Sequence, residues 1–372
     1  MNEDSTRTEL AEYAAAVRSF CRQKLPEQTL ARPGAVRDPE TARENWRALA
    51  VDLGASSLLI PEEHGGSGAT LLEVGRVAEA LGAELATVPF LSSGVLAPAL
   101  LAGLAEGADG DAVAELLTGI AQGAVVAVAW AADDPGTVTS QALLGSGGDT
   151  ASGSFRYVID ADIAQTVILV GAGGKEIAAV DAADLTITAR SSFDLTRGLA
   201  DVVADDAAAT VLAVGEHAVS AFEAALVAGR LALASESAGG AGRALEVAVE
   251  YAQQRVQFGR EIGSFQSIKH LLADCFVNEQ SALSVARRAI EAVVAGEPEA
   301  DELVATAAFY CADRYVDVAA TGIQVHGGIG FTVERAAHLY RRRAESNRNL
   351  LGTPNKLKSD YLNLLKSKEN VA

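Results

Sequence analysis

Apolar positions recur at helical spacing through the first 120 or so residues. In STRTELAEYAAAVRSFCRQKL, Ser5 or Thr6 offers an N-cap ahead of apolar residues three and four apart. In LLIPEEHGGSGATLLEVGRVAEALG a turn rich in Pro and Gly precedes Leu71, Leu72, Val74, Val77 and Leu81 on mixed three- and four-residue steps. The pattern changes near Gly123. AVVAVAW, FRYVIDAD, TVILVGA, EIAAVDA, LTITARSS and ATVLAV are short β-branched runs separated by Gly, Asp and Ser, which predicts a small antiparallel β domain. LVGAGGKE leads from one strand into another and reads as a hairpin turn. From His217 helical periodicity returns. Leu245, Ala248, Val249, Ala252 and Val256 share a face of a helix running to Val256, Glu261 to Arg288 give a second long helix, and Glu302 to Val325 a third. The order predicts an α+β chain with helical residues 1–122, a β domain over 123–215 and a helical bundle over 216–372.

Composition sharpens this picture. The 372 residues are 49% hydrophobic but only 5% aromatic, and alanine dominates 8–17, 77–86 and 223–238, so closely packed helices are expected to fill the core. A net charge of −19 argues against general nucleic-acid binding, which needs clustered Lys and Arg. The charge is uneven: Arg335 to Ala372 hold nine basic residues against three acidic ones, an excess of 9 − 3 = +6 that suits a phosphorylated ligand, an acidic partner or a solvated helix face. Cys21, Cys275 and Cys311 are too few and too isolated for a disulfide framework or a metal site. MNEDSTRTEL has no apolar core, and no uninterrupted apolar run reaches the roughly 18–20 residues that cross a bilayer, so a soluble cytoplasmic protein is expected. The usual nucleotide cradles, GxGxxG between strand and helix or a P-loop lysine, are missing.

Two stretches carry chemistry. In RVQFGREIGSFQ, Arg255 stands at a helix end with bidentate donors suited to a pyrophosphate, while Phe265 and Gln266 could stack on and hydrogen-bond a planar base. The same residues also read as a helix C-cap with Gly259 past the end and a buried Phe265. In QVHGGIGFT, adjacent glycines after a helix allow close backbone approach to an anion, or mark a plain turn, and His326 reads as a satisfied loop histidine as easily as a functional one, with no catalytic role assigned.

These stretches, in this order around a β domain, resemble the flavin-dependent acyl-CoA dehydrogenase family. LLIPEEHGGSGATLLEVGRVAEALG, ASGSFRYVIDADIAQTVILV, RVQFGREIGSFQ, HGGIGF and AAHLYRRR are each similar to a family segment, and together they cover nearly the whole chain. The resemblance implies an N-terminal helical domain, a middle β barrel and a C-terminal four-helix bundle, assembled as tetramers. It implies oxidation of an acyl-CoA thioester to its α,β-enoyl-CoA, with a glutamate removing the α-proton, FAD taking hydride, and a separate electron-transfer acceptor. It also implies that Arg255, Gln257, Phe258, Phe265, Gln266, Gln324, Gly327 and Gly328 reach across to a neighbouring subunit's FAD.

The half that should hold this chain's own flavin and substrate departs from the family pattern. Asp134-Pro135-Gly136 is a partial echo of a flavin-binding segment, and Ile159, in Tyr157-Val158-Ile159, stands where a hydroxyl residue meets the flavin. The catalytic glutamate of a Glu-Gly-Thr triplet falls on Leu351, allowing one inserted residue, and the family's other base position falls on Gly229, before Arg230. The resemblance therefore extends to the non-catalytic-type subunit of actinobacterial heterotetramers (α2β2) acting on CoA esters of steroid side chains, in which a homologous partner supplies the glutamate. Two alternatives stay open: a self-sufficient enzyme with a displaced base such as Glu345 or Glu236, and a flavin-free scaffold. Arg341-Arg342-Arg343 could contact CoA phosphates or the partner, but three consecutive residues point in different directions around a helix, which favours a solvated face.

Overall fold

The computed structural model of the chain describes residues 3–25, 38–105, 110–130, 138 and 140–369. Helix α1 (Glu3–Lys24) begins before Ser5 and Thr6, which therefore lie inside it and do not cap it. α2 (Pro39–Asp52) opens with Asp38 accepting the Thr41 N–H at 2.9 Å and with proline in the first turn, where its missing N–H is not needed. α3 (Leu71–Ala83) opens on a complete capping box. Thr70 Oγ1 accepts the Leu72 N–H at 3.2 Å and Glu73 accepts the Thr70 N–H at 2.8 Å. A fully buried π-helical turn, Phe90–Leu96, leads into α4 (Ala97–Leu104), and α5 (Gly110–Ala121) follows.

The middle of the chain forms β1 (Val126–Trp130), β2 (Thr150–Ile159), β3 (Thr166–Gly171), β4 (Glu176–Asp181), β5 (Thr186–Ala189), β6 (Leu199–Ala208) and β7 (Thr210–Val214). They make two sheets, in the orders β1-β3-β4-β7 and β2-β6-β5. The expectation of purely antiparallel pairing fails at one place: β1 and β3 run parallel, Val126 opposite Thr166. The chain between them crosses to the other sheet as β2, and such a crossover returns a strand in its original direction. The β3–β4 hairpin is the turn expected at LVGAGGKE, with Gly171 opposite Glu176. β6 is hidden in the sequence by Asp201, Asp205, Asp206 and its alanines. It is a strand because Ala200, Val202 and Ala204 bury one face while Val203 and Asp205 stay out.

The C-terminal part is built on α6 (Glu216–Gln254), with α7 (Gln266–Ala295), α8 (Ala300–His326), α9 (Ala337–Leu350) and α10 (Pro354–Glu369). α6 is long and apolar enough to cross a membrane by length and composition, but 67% of its apolar window is buried among the other elements, as in a core helix. It stops at Gln254. Val256 thus leaves the predicted face for a two-residue strand, β8 (Val256–Gln257), paired with β9 (Arg260–Glu261), and α7 starts at Gln266 and not at Glu261.

Alanine and glycine let α3 and α6 touch backbone to backbone. A Cβ on Gly239 would lie 1.9 Å from Glu79 O, and one on Gly82 2.1 Å from Glu236 O. Because these obstacles are helix backbone, Gly239→Ala must push the helices apart, and overpacking of this kind costs about 1–3 kcal/mol. A lower urea midpoint for Gly239→Ala, with Gly242→Ala nearly neutral because only the end of the Glu279 side chain lies near, is the expected result.

Candidate functional site

The two motif stretches meet at one end of the bundle. Arg255 caps α6, its N–H bonded to Tyr251 O at 2.9 Å, and its carbonyl accepts Ile262 N–H at 2.8 Å, closing a small hairpin. The two-residue loop of that hairpin is Phe258-Gly259, with φ of 53° and 78°. Two positive φ values in such a loop ordinarily call for Asn, Asp or Gly, so a phenylalanine here is strained. It is also 93% exposed, touching half-buried Phe265 edge-on at 6.2 Å. Gln257 and Gln266 are exposed on either side. Phe265 is not the fully buried anchor that the plain helix-end reading requires, since one face carries the Arg260 guanidinium at 4.0 Å.

α8 ends at His326, followed by Gly327 at φ 65°, and nothing lies within 4 Å of where a Cβ would stand on Gly327 or Gly328. Gln324 is exposed one turn earlier. His326 joins the two motifs. Its ring stacks on Tyr251 of α6 at 4.3 Å, its Nδ1 lies 2.7 Å from Gly322 O, and burial lowers its pKa. It is a packing residue at the end of α8, not in a loop. The result is an outward surface with two guanidiniums, of Arg255 and Arg260, three amides, bare glycine backbone and an exposed aromatic ring. The residues fit the pyrophosphate and planar base of FAD presented from outside this chain.

The second half of the site does not fit a flavin held by this chain. Asp134-Pro135-Gly136 lie outside the described residues. Ile159 is buried and its side chain has no donor, and Tyr157, at φ 59°, carries the Arg190 guanidinium over its ring at 4.6 Å. Asp201 grips that guanidinium with both oxygens at 2.5 Å, so the ring face is already taken.

The two expected base positions lie against each other. A Cβ on Gly229 would be 3.0 Å from Leu351 Cδ1 and 2.6 Å from Leu96 Cδ2. Gly352 and Thr353, the remainder of the triplet, have local work: Gly352 sits at φ 131°, where a Cβ would lie 3.0 Å from Leu357 Cδ2, and Thr353 O accepts the Leu357 N–H at 3.0 Å in the first turn of α10. Arg230 stands beside them, partly withdrawn from water. Its Nε donates to Leu351 O at 3.2 Å, and burial lowers its pKa.

Neither displaced carboxylate is placed to act as a base. Glu345 pairs with Arg341 at 2.6 Å on the surface of α9. Glu236 is buried between Arg197 at 2.5 Å and Arg343 at 2.9 Å, and Asn347 donates to it at 3.1 Å. Burial alone would raise its pKa, but the two guanidiniums outweigh that and hold it below the usual carboxylate value. Arg343 is thus not on a solvated face: besides Glu236 it meets Asp194 at 3.2 Å and donates to Thr196 Oγ1 at 2.6 Å and Ala86 O at 3.0 Å. Arg342 turns another way, onto Phe193, donating to its carbonyl at 2.8 Å. Sequence reasoning missed Leu96 and the Asp194–Arg197–Glu236–Arg343 cluster, whose members come from separate segments.

The N-terminal domain of the acyl-CoA dehydrogenases matches residues 7–123 and their C-terminal domain residues 219–360. The chain belongs to the acyl-CoA dehydrogenase family, FAD-dependent oxidoreductases acting on acyl-CoA. It is 33% identical over 309 residues to acyl-CoA dehydrogenase IpdE2 of Mycolicibacterium smegmatis, covering 83% of this chain and 84% of that one. To IpdE2 of Mycobacterium tuberculosis it is 34% identical over 315 residues, covering 83% and 82%. Among solved structures, the ChsE4-ChsE5 complex from Mycobacterium tuberculosis is similar with a TM-score of 0.82 at 26% identity, covering 96% of this chain and 97% of the matched one.

Proposed function

We propose that this chain is the non-catalytic-type subunit of a heteromeric acyl-CoA dehydrogenase, an α2β2 assembly in which a homologous partner supplies the catalytic glutamate. The observation that carries the reading is a contrast: Arg255, Phe258, Gln266, Gln324 and the Gly327-Gly328 backbone are exposed together at one end of the bundle, while both base positions are apolar and pressed together. In this reading Arg255 and the Gly327 and Gly328 N–H groups hold the pyrophosphate of FAD on the partner, Phe258 and Phe265 flank its planar base, and Gln257, Gln266 and Gln324 offer amides to its polar edges. FAD supplies the hydride acceptor for α,β-dehydrogenation. This chain's part is binding and orientation. The proton is removed by the partner's carboxylate, since Glu345 and Glu236 of this chain are bound to arginines. A solved relative composed of two chain types supports the heteromeric arrangement. The substrates to try first are CoA esters of fatty and steroid side chains.

Co-expression with a homologue that carries the Glu-Gly-Thr carboxylate tests this. The pair is expected to purify together, yellow and active, while the chain alone binds no stoichiometric FAD and dehydrogenates nothing. Stoichiometric FAD and acyl-CoA oxidation by the chain alone would refute the reading and favour the self-sufficient enzyme; a colourless, inactive complex would favour the scaffold.

A further inference from the structure

At the two expected base positions the chain's own side chains are packed against one another. The π-helical turn Phe90–Leu96 is pinned on one side to the sheets. Ser92 Oγ donates to Asp160 Oδ2 at 2.8 Å, while Ser93 Oγ donates to Val126 O and accepts Val126 N–H, each at 3.0 Å. On its other side the turn delivers Leu96 onto α6, where Leu96 Cδ2 and Leu351 Cδ1 lie 2.6 and 3.0 Å from where a Cβ would stand on Gly229. Leu96 is 1% exposed and Leu351 2%. A catalytic site needs room for a carboxylate and for a substrate carbon at reacting distance from it. Interiors are packed too closely for a substrate to enter where methyl groups are already in contact with backbone. Neither base position carries a carboxylate, and Arg230 Nε is bonded to the Leu351 carbonyl at 3.2 Å.

We infer that Leu96 and Leu351 shut this chain's own acyl site, so that this subunit takes up no acyl-CoA, and that replacing both, not restoring a base alone, reopens it. The inference rests on the reading of the chain as a partner subunit and adds to it the residues that decide where substrate can bind. Leu351→Glu by itself leaves Leu96 on Gly229 and sets the new carboxylate beside Arg230, which would hold it as a weakly basic ion pair.

The experiment counts ligands on the co-purified complex. Equilibrium dialysis uses S-octyl-CoA, a thioether without a carbonyl that is not dehydrogenated, and FAD is measured by absorbance in the same samples. The wild-type complex is expected to bind one S-octyl-CoA per heterodimer, the Leu351→Ala complex also one, and the Leu96→Ala/Leu351→Ala complex two. Two per heterodimer in the wild type would overturn the inference. So would one per heterodimer in a double variant that still melts cooperatively, since something other than these leucines would then close the site. FAD on the separately purified chain is a different result: it refutes the partner-subunit reading, whereas the S-octyl-CoA count tests the closure.

Discussion

Glu236→Ala is expected to cost the folded chain about 3–5 kcal/mol, the range found when one member of a buried ion pair is removed. Glu236 of α6 receives Arg197 from the segment before β6 and both Arg343 and Asn347 from α9. Two carboxylates, Glu236 and Asp194, face two guanidiniums, Arg197 and Arg343, so the cluster is neutral as built. Removing Glu236 leaves Arg197 with only the Asn347 carbonyl oxygen, at 3.0 Å, among the cluster's acceptors, and Arg343 with Asp194 as its one counter-charge. The measurement is a fall in urea midpoint at constant slope, and a loss under 1 kcal/mol would show that water reaches the cluster. Glu236→Gln keeps the shape but not the charge, and is expected to lose most of the same stability.

The pH dependence follows from the sign of the shift. The folded pKa of Glu236 is lowered, so its contribution is present above the unfolded value of about 4.3 and is lost as pH falls through the lower folded value. Wild-type stability should therefore drop more steeply below about pH 4.3 than that of Glu236→Gln, whose side chain does not titrate. Parallel curves for the two would mean that folding leaves the Glu236 pKa unshifted.

Arg255→Ala, assayed in the complex, is expected to weaken FAD binding by about 10- to 150-fold, the equivalent of one charge-assisted hydrogen bond of about 1.5–3 kcal/mol. Because Arg255 is exposed in this chain, melting of the subunit alone should stay within about 0.5 kcal/mol of wild type, as for other surface substitutions. Arg255→Lys should rescue poorly, since a single ammonium cannot reproduce two parallel donors to a phosphate. Unchanged FAD affinity in Arg255→Ala would remove this residue from the clamp.

Much of the layout was legible because its signals are local. Thr70 and Glu73 cap α3 across one turn of chain, the β-branched runs alternate within a few residues, and Gly327-Gly328 follow α8 directly. Errors came where strand pairing overrode the pattern of apolar letters. β6 is a strand because β2 and β5 pair with it on either side, despite its aspartates, and Val256 leaves α6 because Glu261 pairs with it. Arg341, Arg342 and Arg343 are indistinguishable as letters. One pairs within its own helix, one lies on Phe193 and one is buried between Glu236 and Asp194.

From the sequence alone came the family's motif order, the intact Arg255, Gln266 and Gln324, and the absence of a carboxylate at Leu351 and Gly229, because residue identity and spacing are properties of the chain itself. Only the tertiary structure decided that Leu351 and Gly229 touch, and that Leu96 completes the seal. The π-helical turn before Leu96 is the physical reason: one residue more per turn than the α pattern shifts every later side chain by about 100° around the axis. The face that Leu96 presents is therefore set by how Ser92 and Ser93 anchor that turn to the sheets, and not by the spacing of apolar letters.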